Sequence, residues 1–241
     1  MVNIIAKLFK AGSGDTLRRF NQASVIKRML PKEMGYVCEL GCGHAGPLYS
    51  YWLINRASKY VGVDGYKPNI ELARQRHSSK SGVTFLLSDV TSVKEIPNES
   101  CDVLVSTEFL EHVDDDGKMI QEMIRILKPG GIAVLSTPLI YSENTTPQIK
   151  KTTAIDPNRF EEHKVEGFVE RILVDKLERN GFVITGKQYC FYWPARFGLS
   201  MGQHFFTVIV ALSLSLLDRI FAALRCGKPY DIILLMKRKV E

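Results

Sequence analysis

Tyr36-Val-Cys-Glu-Leu-Gly-Cys-Gly-His-Ala-Gly46 joins a short apolar run to an acidic residue and passes at once into a glycine-rich turn. Gly41 and Gly43 allow tight or positive-φ backbone and close approach to a ligand. Downstream, Val61-Gly-Val-Asp64 ends a second apolar run in a carboxylate 21 residues beyond Gly43. A strand-end carboxylate at that distance suits ribose hydroxyls, so the two runs predict a nucleoside held at the ends of parallel β-strands. Taken alone, Gly41-Cys-Gly-His-Ala-Gly46 fits the dinucleotide pattern G-x-G-x-x-G. Glu39 argues against a dinucleotide: two residues before the first glycine, its charge would repel a pyrophosphate and attract a cationic amino-acid group.

Three further blocks follow in order. Leu86-Leu-Ser-Asp-Val90 offers a carboxylate at a strand end, placed to receive an adenine amino group. Cys101-Asp-Val-Leu-Val-Ser-Thr-Glu-Phe-Leu-Glu-His-Val113 is a strand running into a polar, acidic turn. Ile124-Arg-Ile-Leu-Lys-Pro-Gly-Gly-Ile-Ala-Val-Leu135 reads as a helix end, a Pro-Gly-Gly turn and another strand. Each block is common by itself, and their order and spacing make the pattern specific.

Together the blocks resemble the class I S-adenosylmethionine-dependent methyltransferases, in particular the group with an "EHv" motif after the fourth strand and "LkPGG" before the fifth. The resemblance covers Tyr36 to Thr137 and weakens beyond. It implies an α/β fold: a Rossmann-like, doubly wound, seven-stranded sheet of order 3-2-1-4-5-7-6 with its last strand antiparallel. It also implies S-adenosylmethionine as cofactor. Carried onto this chain, Glu39, Gly41, Cys42 and Gly43 would cradle the methionine part, and Asp64 with Gly65 would meet the ribose. Asp89 with the Val90 backbone would meet the adenine, and Thr107 and Glu108 would line the floor beside the sulfonium. Each has a structural alternative: Asp64 could cap the helix after Pro68, Glu39 could accept from loop amides, and Asp89 could be a plain turn residue.

Composition agrees. A chain of 241 residues, 45% hydrophobic and 24% charged, suffices for one α/β domain with a substantial core. Net charge is +6, but the Lys/Arg residues are scattered apart from Lys237-Arg-Lys239, so no nucleic-acid partner is expected. The charge would suit an anionic substrate or a membrane surface. Five cysteines without a C-x-x-C pair suggest neither zinc nor a disulfide framework, which points to a reducing cytosol and to no metal. Met1-Val-Asn-Ile-Ile-Ala-Lys-Leu-Phe-Lys10 is too short and too charged for a secretory signal.

Alternation sets the organisation. Helix 15–30 opens the N-terminal segment 1–35, and Pro31 ends it. Strands are expected at 36–40, 60–64, 83–87, 101–106 and 131–136, with helices near 46–56, 68–77 and 115–127. Helix 165–180, a strand at 182–191 and a last strand near 230–237 complete one methyltransferase domain over 1–241. That rhythm gives a parallel sheet covered on both faces.

Two segments exceed a minimal core. Pro138 to His163 is polar and rich in Thr, Asn and Pro, and 192–229 is an insertion between strands six and seven. If strand six runs parallel to the first five, both leave the sheet at the carboxyl ends of the strands, over the acceptor. Residues 203–225 are largely apolar, but Asp218 and Arg219 interrupt them, so they fall short of the roughly 20 continuous apolar residues of a membrane span. The readings are a packed lid or dimer helix, or an interfacial helix making peripheral membrane contact through 199–225, on a cytoplasmic protein.

The expected chemistry is methyl transfer to a small-molecule, glycan or lipid-linked acceptor, on oxygen first and on nitrogen or carbon as runner-up. Deprotonating a hydroxyl calls for a group titrating near neutrality, and His163, His112 and His44 are the candidates. Phe191, Tyr192 and Trp193 could meet an acceptor ring or simply pack. From other classes, a non-catalytic assembly module has no need of Glu39, Asp64 and Asp89 together, and a NAD-dependent oxidoreductase would need a hydride-transfer constellation that is not evident.

Overall fold

The computed structural model of the protein describes residues 13–46, 49–141, 165, 167–190, 220 and 228–240. His163, Phe191, Tyr192, Trp193 and nearly all of the expected helix 203–225 lie outside the described residues. The chain divides into two compact units, Met1–Leu30 with Gln188–Ile233, and Pro31–Lys187 with Leu234–Glu241. In the first unit, helix α1 (Ser13–Met29) buries Ala23 and Ile26 on one face, with Leu30 just beyond its end. The Gln22 side-chain amide donates to Asp231 Oδ2 at 2.8 Å, and both residues are fully buried. A buried carboxylate needs such a donor to offset its desolvation.

The second unit holds most of the sheet, and the end of β6 and the start of β7 fall in the first. In chain order the elements after α1 are β1 (Met34–Leu40), α2 (Ser50–Ile54), β2 (Ala57–Asp64), α3 (Lys67–Arg76), β3 (Val83–Leu87), β4 (Cys101–Thr107) and a 3-10 turn (Leu110–His112). Then follow α4 (Asp116–Ile126), β5 (Leu127–Pro138), α5 (Glu170–Arg179), β6 (Phe182–Cys190) and β7 (Asp231–Arg238). The seven strands lie in the order β3-β2-β1-β4-β5-β7-β6, as the resemblance implied. β1 through β5 pair in parallel. The final strand runs antiparallel: Lys239 N donates to Gly181 O and Thr185 Oγ1 to Leu235 O, so residue numbers rise on one strand as they fall on the other.

Burial explains the strand sequences. Central strands covered on both faces read as nearly unbroken apolar runs: Val37 through Leu40 of β1 and Val103 through Ser106 of β4 are buried throughout. The edge strand β6 alternates half-buried and exposed positions over most of its length and buries only its ends, Phe182 and Cys190. The helices supply one apolar face each. α4 buries Met119, Ile120, Met123 and Ile126, and α5 buries Leu173 and Leu177.

Three boundaries differ from expectation for identifiable reasons. The helix expected at 46–56 is the single turn Ser50–Ile54, which Asn55 closes by donating its side-chain amide to Tyr51 O at 2.6 Å. The helix expected from 165 starts at Glu170, because Phe168 first bridges to Leu139 beside the end of β5, with Phe168 N donating to Pro138 O at 2.9 Å. Lys128-Pro-Gly-Gly131 does not precede β5 but lies within it as a bulge: Cys101 faces Leu127 while Val103 faces Ile132.

Connections leave β1 toward β2 on one side, and β4 takes up the sheet on the other. The carboxyl ends of β1 and β4 therefore form the switch point at which doubly wound sheets bind ligands. Gly62, opposite Glu39 in the β1–β2 register, is tightly packed beneath that point. An added Cβ would sit 2.9 Å from both Cys42 Sγ and Phe85 Cδ1. Gly62→Val should accordingly cost about 1–3 kcal/mol through overpacking, read as a lower denaturant midpoint at unchanged m-value; unaltered stability would contradict this packing.

Candidate functional site

The glycine turn is held open from below. Gly41 and Gly43 adopt φ of +76° and +52°, the left-handed region that glycine enters without steric cost. The amides of Gly41 and Cys42 both donate to Val63 O, at 2.8 and 3.0 Å, and Gly43 N donates to Asp64 Oδ2 at 2.9 Å. The end of β2 thus dictates the shape of the turn after β1. A Cβ at Gly41 would collide with the Phe109 ring, 2.1 Å from its Cγ, whereas one at Gly43 would find its nearest neighbour, Asn69 Nδ2, only at 4.0 Å. Residue 41 is glycine to admit Phe109, whereas no described residue crowds the space over Gly43.

Asp64 is 5% exposed, and its other oxygen accepts from Tyr66 N at 2.8 Å and Asn69 Nδ2 at 3.4 Å. It therefore knits together the turn after β1 and the start of α3, combining the structural and the ligand-facing readings. Gly65 follows it in an exposed position.

Glu39 is 3% exposed, and its partners are hydroxyls rather than loop amides. Tyr60 OH donates to Oε2 at 2.5 Å and Ser50 Oγ to Oε1 at 3.1 Å. Burial pushes its carboxyl up to about 7, against the opposing effect of the two hydroxyls and with help from the Asp64 charge. Burial likewise raises Tyr60 well above the ordinary phenol range, aided by the neighbouring Glu39 charge. Cys42, buried with its thiol directed at Gly43 O at 3.5 Å, is also pushed up by desolvation and is no thiolate nucleophile.

The other strand ends are arranged as follows. Asp89 is exposed and makes an Asx turn, its Oδ1 accepting from Thr91 N and Thr91 Oγ1, both at 2.9 Å, while Val90 beside it is buried. Thr107 closes β4 in a half-buried position. Glu108 sits at φ +50°, a sparsely populated region for a residue with a side chain. Its amide donates to Ser136 O at 2.9 Å, and Ser136 Oγ donates back to Glu108 Oε1 at 2.9 Å. Glu111, 1% exposed, accepts from Thr137 Oγ1 at 3.0 Å. His112 is half-buried, its ring centroid 6.4 Å from that of Phe109. His44 is exposed, and Arg76 Nη1 lies 2.6 Å from its Nδ1. A guanidinium can only donate, so Nδ1 is the acceptor in this contact.

The partners that fix these groups were not evident in the sequence. Tyr60 looks like an apolar strand residue, yet its even spacing from Gly62 puts it on the face of Glu39. His77 is buried at the end of α3 and donates from Nε2 to Ala45 O at 3.0 Å, a second brace on the glycine turn. Among the described residues no group of His, Cys, Asp and Glu is arranged to hold a metal ion, and no helix is long and apolar enough to cross a membrane.

Residues 38–135 match the family described as a methyltransferase domain. Over 104 residues the chain is 34% identical to the ubiquinone biosynthesis O-methyltransferase of Pseudomonas fluorescens, which covers 42% of this chain and 43% of that protein. The match thus spans less than half the length of the curated relative. Among solved structures, the S-adenosylmethionine dependent methyltransferase from Mesorhizobium loti superposes with a TM-score of 0.59 at 19% identity, over 90% of this chain and 98% of that one. The cyclase SpnF does so with a TM-score of 0.63 at 17% identity, over 91% and 81%. At such identities the structural likeness speaks for the fold. Strand order, family match and ordered motifs agree: segment 38–135 belongs to the class I S-adenosylmethionine-dependent methyltransferases.

Proposed function

We propose that the protein transfers the methyl group of S-adenosylmethionine to an oxygen of a small, glycan-like or lipid-linked acceptor at a cytoplasmic membrane face. The observation that carries the cofactor part is the clamp of Gly43 N on Asp64 Oδ2 beside the buried Glu39 carboxylate. It gives an open, left-handed turn flanked by negative charge, which suits a ligand that combines an ammonium, a sulfonium and a ribose. Ala45 and Glu108, two of the three described non-glycine residues held in left-handed backbone, sit at the same two strand ends, where such strain is often kept for a ligand; the third, Glu99, lies apart.

In this reading Glu39 faces the methionine ammonium across the Gly41–Cys42–Gly43 turn, and Asp64 with Gly65 receives the ribose hydroxyls. Asp89 offers Oδ2 to the adenine amino group, because only its Oδ1 is occupied by described residues, and Val90 lies against the ring. Thr107 and Glu108 line the floor. The cofactor supplies a methyl on a sulfonium, open to in-line attack; the residues supply alignment, which can be worth about 7–11 kcal/mol of barrier. His112, at the mouth of β4, and His163 are the base candidates carried forward, since His44 is engaged by Arg76 beside the glycine turn. Similarity to the Pseudomonas O-methyltransferase of ubiquinone biosynthesis favours oxygen and an amphiphilic acceptor. The apolar stretch 203–225 points the same way, as a contact with a lipid surface or with a second copy of the chain. Labelled methyl donor offered to membrane and soluble extracts tests the acceptor class: product in the lipid fraction is expected, and product only among water-soluble amines would overturn it.

Calorimetry should show S-adenosylhomocysteine binding and no NAD binding. Asp64→Ala should weaken the former by about 1.5–3 kcal/mol, the worth of a hydrogen bond to a charged group. Removing the ribose 2′-hydroxyl from the ligand should cost the wild type affinity but cost the variant nothing further; additive losses would exclude a ribose contact.

Glu39 makes this binding pH-dependent. Its folded value of about 7 lies above the usual 4.5, so the folded state holds the extra proton and this group lowers stability as pH rises from about 4.5 to 7. A bound ammonium favours the carboxylate, so binding should release a proton below about pH 7 and tighten as pH rises toward that value. Titrations in buffers of different protonation heat measure this directly. Glu39→Gln should abolish the proton release, and its persistence would place the titration elsewhere.

A further inference from the structure

Between Leu87 and Cys101 the chain forms no helix or strand, yet this segment carries Asp89 and Val90. Something must hold it still if those residues are to meet a base, since an irregular loop is otherwise the most mobile kind of connection. Its first residue is tied to β2, Ser88 N donating to Asp64 O at 3.2 Å. Its last two are tied to α4, Glu99 N donating to Arg125 O at 2.8 Å and Ser100 N to Ile126 O at 2.9 Å.

The middle is held by one side-chain pair on α4. Arg125 presents Nε to Glu122 Oε2 at 2.7 Å and Nη2 to Glu122 Oε1 at 2.6 Å, a bidentate fork. The remaining donors go to the loop: Nη2 to Val93 O at 3.0 Å, Nη1 to Ile96 O at 2.9 Å and Nη1 to Asn98 Oδ1 at 2.6 Å. Glu122 Oε1 also accepts from Val93 N at 2.6 Å, so the pair grips both polar groups of one peptide residue. Val90, Val93 and Ile96 are pressed into the core around this grip. Only a guanidinium has enough donors in fixed directions for the task; a lysine ammonium in its place could not span Glu122, Val93 and Ile96 together.

We propose that Arg125 and Glu122 are positioning residues for the adenine side of the cofactor site, setting the place of Asp89 and Val90 through the 93–98 loop. The inference rests on the reading of Asp89 as the adenine acceptor. Neither residue touches the cofactor; they fix the loop that does. The pair lies on the outer helix rather than at a strand end, and Arg125 falls in the block 124–135, which in the sequence reads only as a helix end, a turn and a strand.

The test compares S-adenosylhomocysteine with S-inosylhomocysteine, which lacks the adenine amino group, by calorimetry well below each variant's unfolding midpoint. The wild type should prefer the adenine ligand. Arg125→Met should lose about 5- to 10-fold for S-adenosylhomocysteine, and much less for the inosine ligand, so that its preference collapses toward that of Asp89→Ala. Arg125→Lys should resemble Arg125→Met despite the retained charge. If Arg125→Met does not fold, Glu122→Gln, which keeps size and leaves Arg125 in place, should reduce the preference in the same direction. A folded variant that keeps the wild-type preference overturns the inference, even if its melting point has dropped. If Asp89→Ala itself keeps that preference, the Asp89 reading fails, and the positioning role falls with it; loss in Asp89→Ala but not in either α4 variant removes the positioning role alone.

Discussion

The hydrogen bond from Gly43 N to Asp64 Oδ2 joins the turn after β1 to the end of β2, and the rest of the crevice is built around it. One carboxylate fixes the left-handed turn and, through Tyr66 N, the start of α3. The turn in turn sets where Glu39 lies beneath it and where Phe109 packs against Gly41. Arg76 and His77 at the far end of α3 come back to the backbone of His44 and Ala45, so the same helix that Asp64 begins returns to brace the glycine turn. Three successive elements are closed into one loop of contacts that braces the glycine-rich segment from both ends.

Around this loop the strand ends carry a concentration of buried acid: Glu39, Asp64 and Glu111 are each nearly inaccessible. Taking carboxylates out of water costs several kcal/mol apiece unless donors replace the lost hydration. The chain supplies hydroxyls from Tyr60, Ser50 and Thr137 and backbone amides from Gly43 and Tyr66. A domain selected for stability alone would place apolar side chains here, as most buried positions of the central strands do. The polar strand ends are the local inconsistency by which a binding site announces itself within a consistent fold.

Much of this was legible in the sequence because the chemistry is local. Strand β3 lies at Val83–Leu87 as expected, and the order of the sheet is the one the family resemblance implied. Glu39, the glycine turn and Asp64 converge because a parallel register leaves their strand ends no alternative. What escaped were contacts between distant segments. Nothing in Lys59-Tyr-Val61 marks Tyr60 as the donor to Glu39, and nothing in a helix such as 116–126 distinguishes a surface arginine from the clasp of a loop nearly thirty residues away. Boundaries slipped where tertiary bonds overrode local preference, as at the Leu139–Phe168 bridge that delays α5 and the bulge that draws Pro129-Gly-Gly131 into β5.

The central claim is that the carboxyl ends of β1, β2 and the loop after β3 form one nucleoside cradle. A crystal structure of the protein grown with S-adenosylhomocysteine tests it most directly. The account predicts the ammonium beside Glu39, the ribose on Asp64 and the adenine between Asp89 and Val90. A ligand lodged elsewhere, or the Phe109 ring and neighbouring side chains filling that crevice with the ligand excluded, would contradict it.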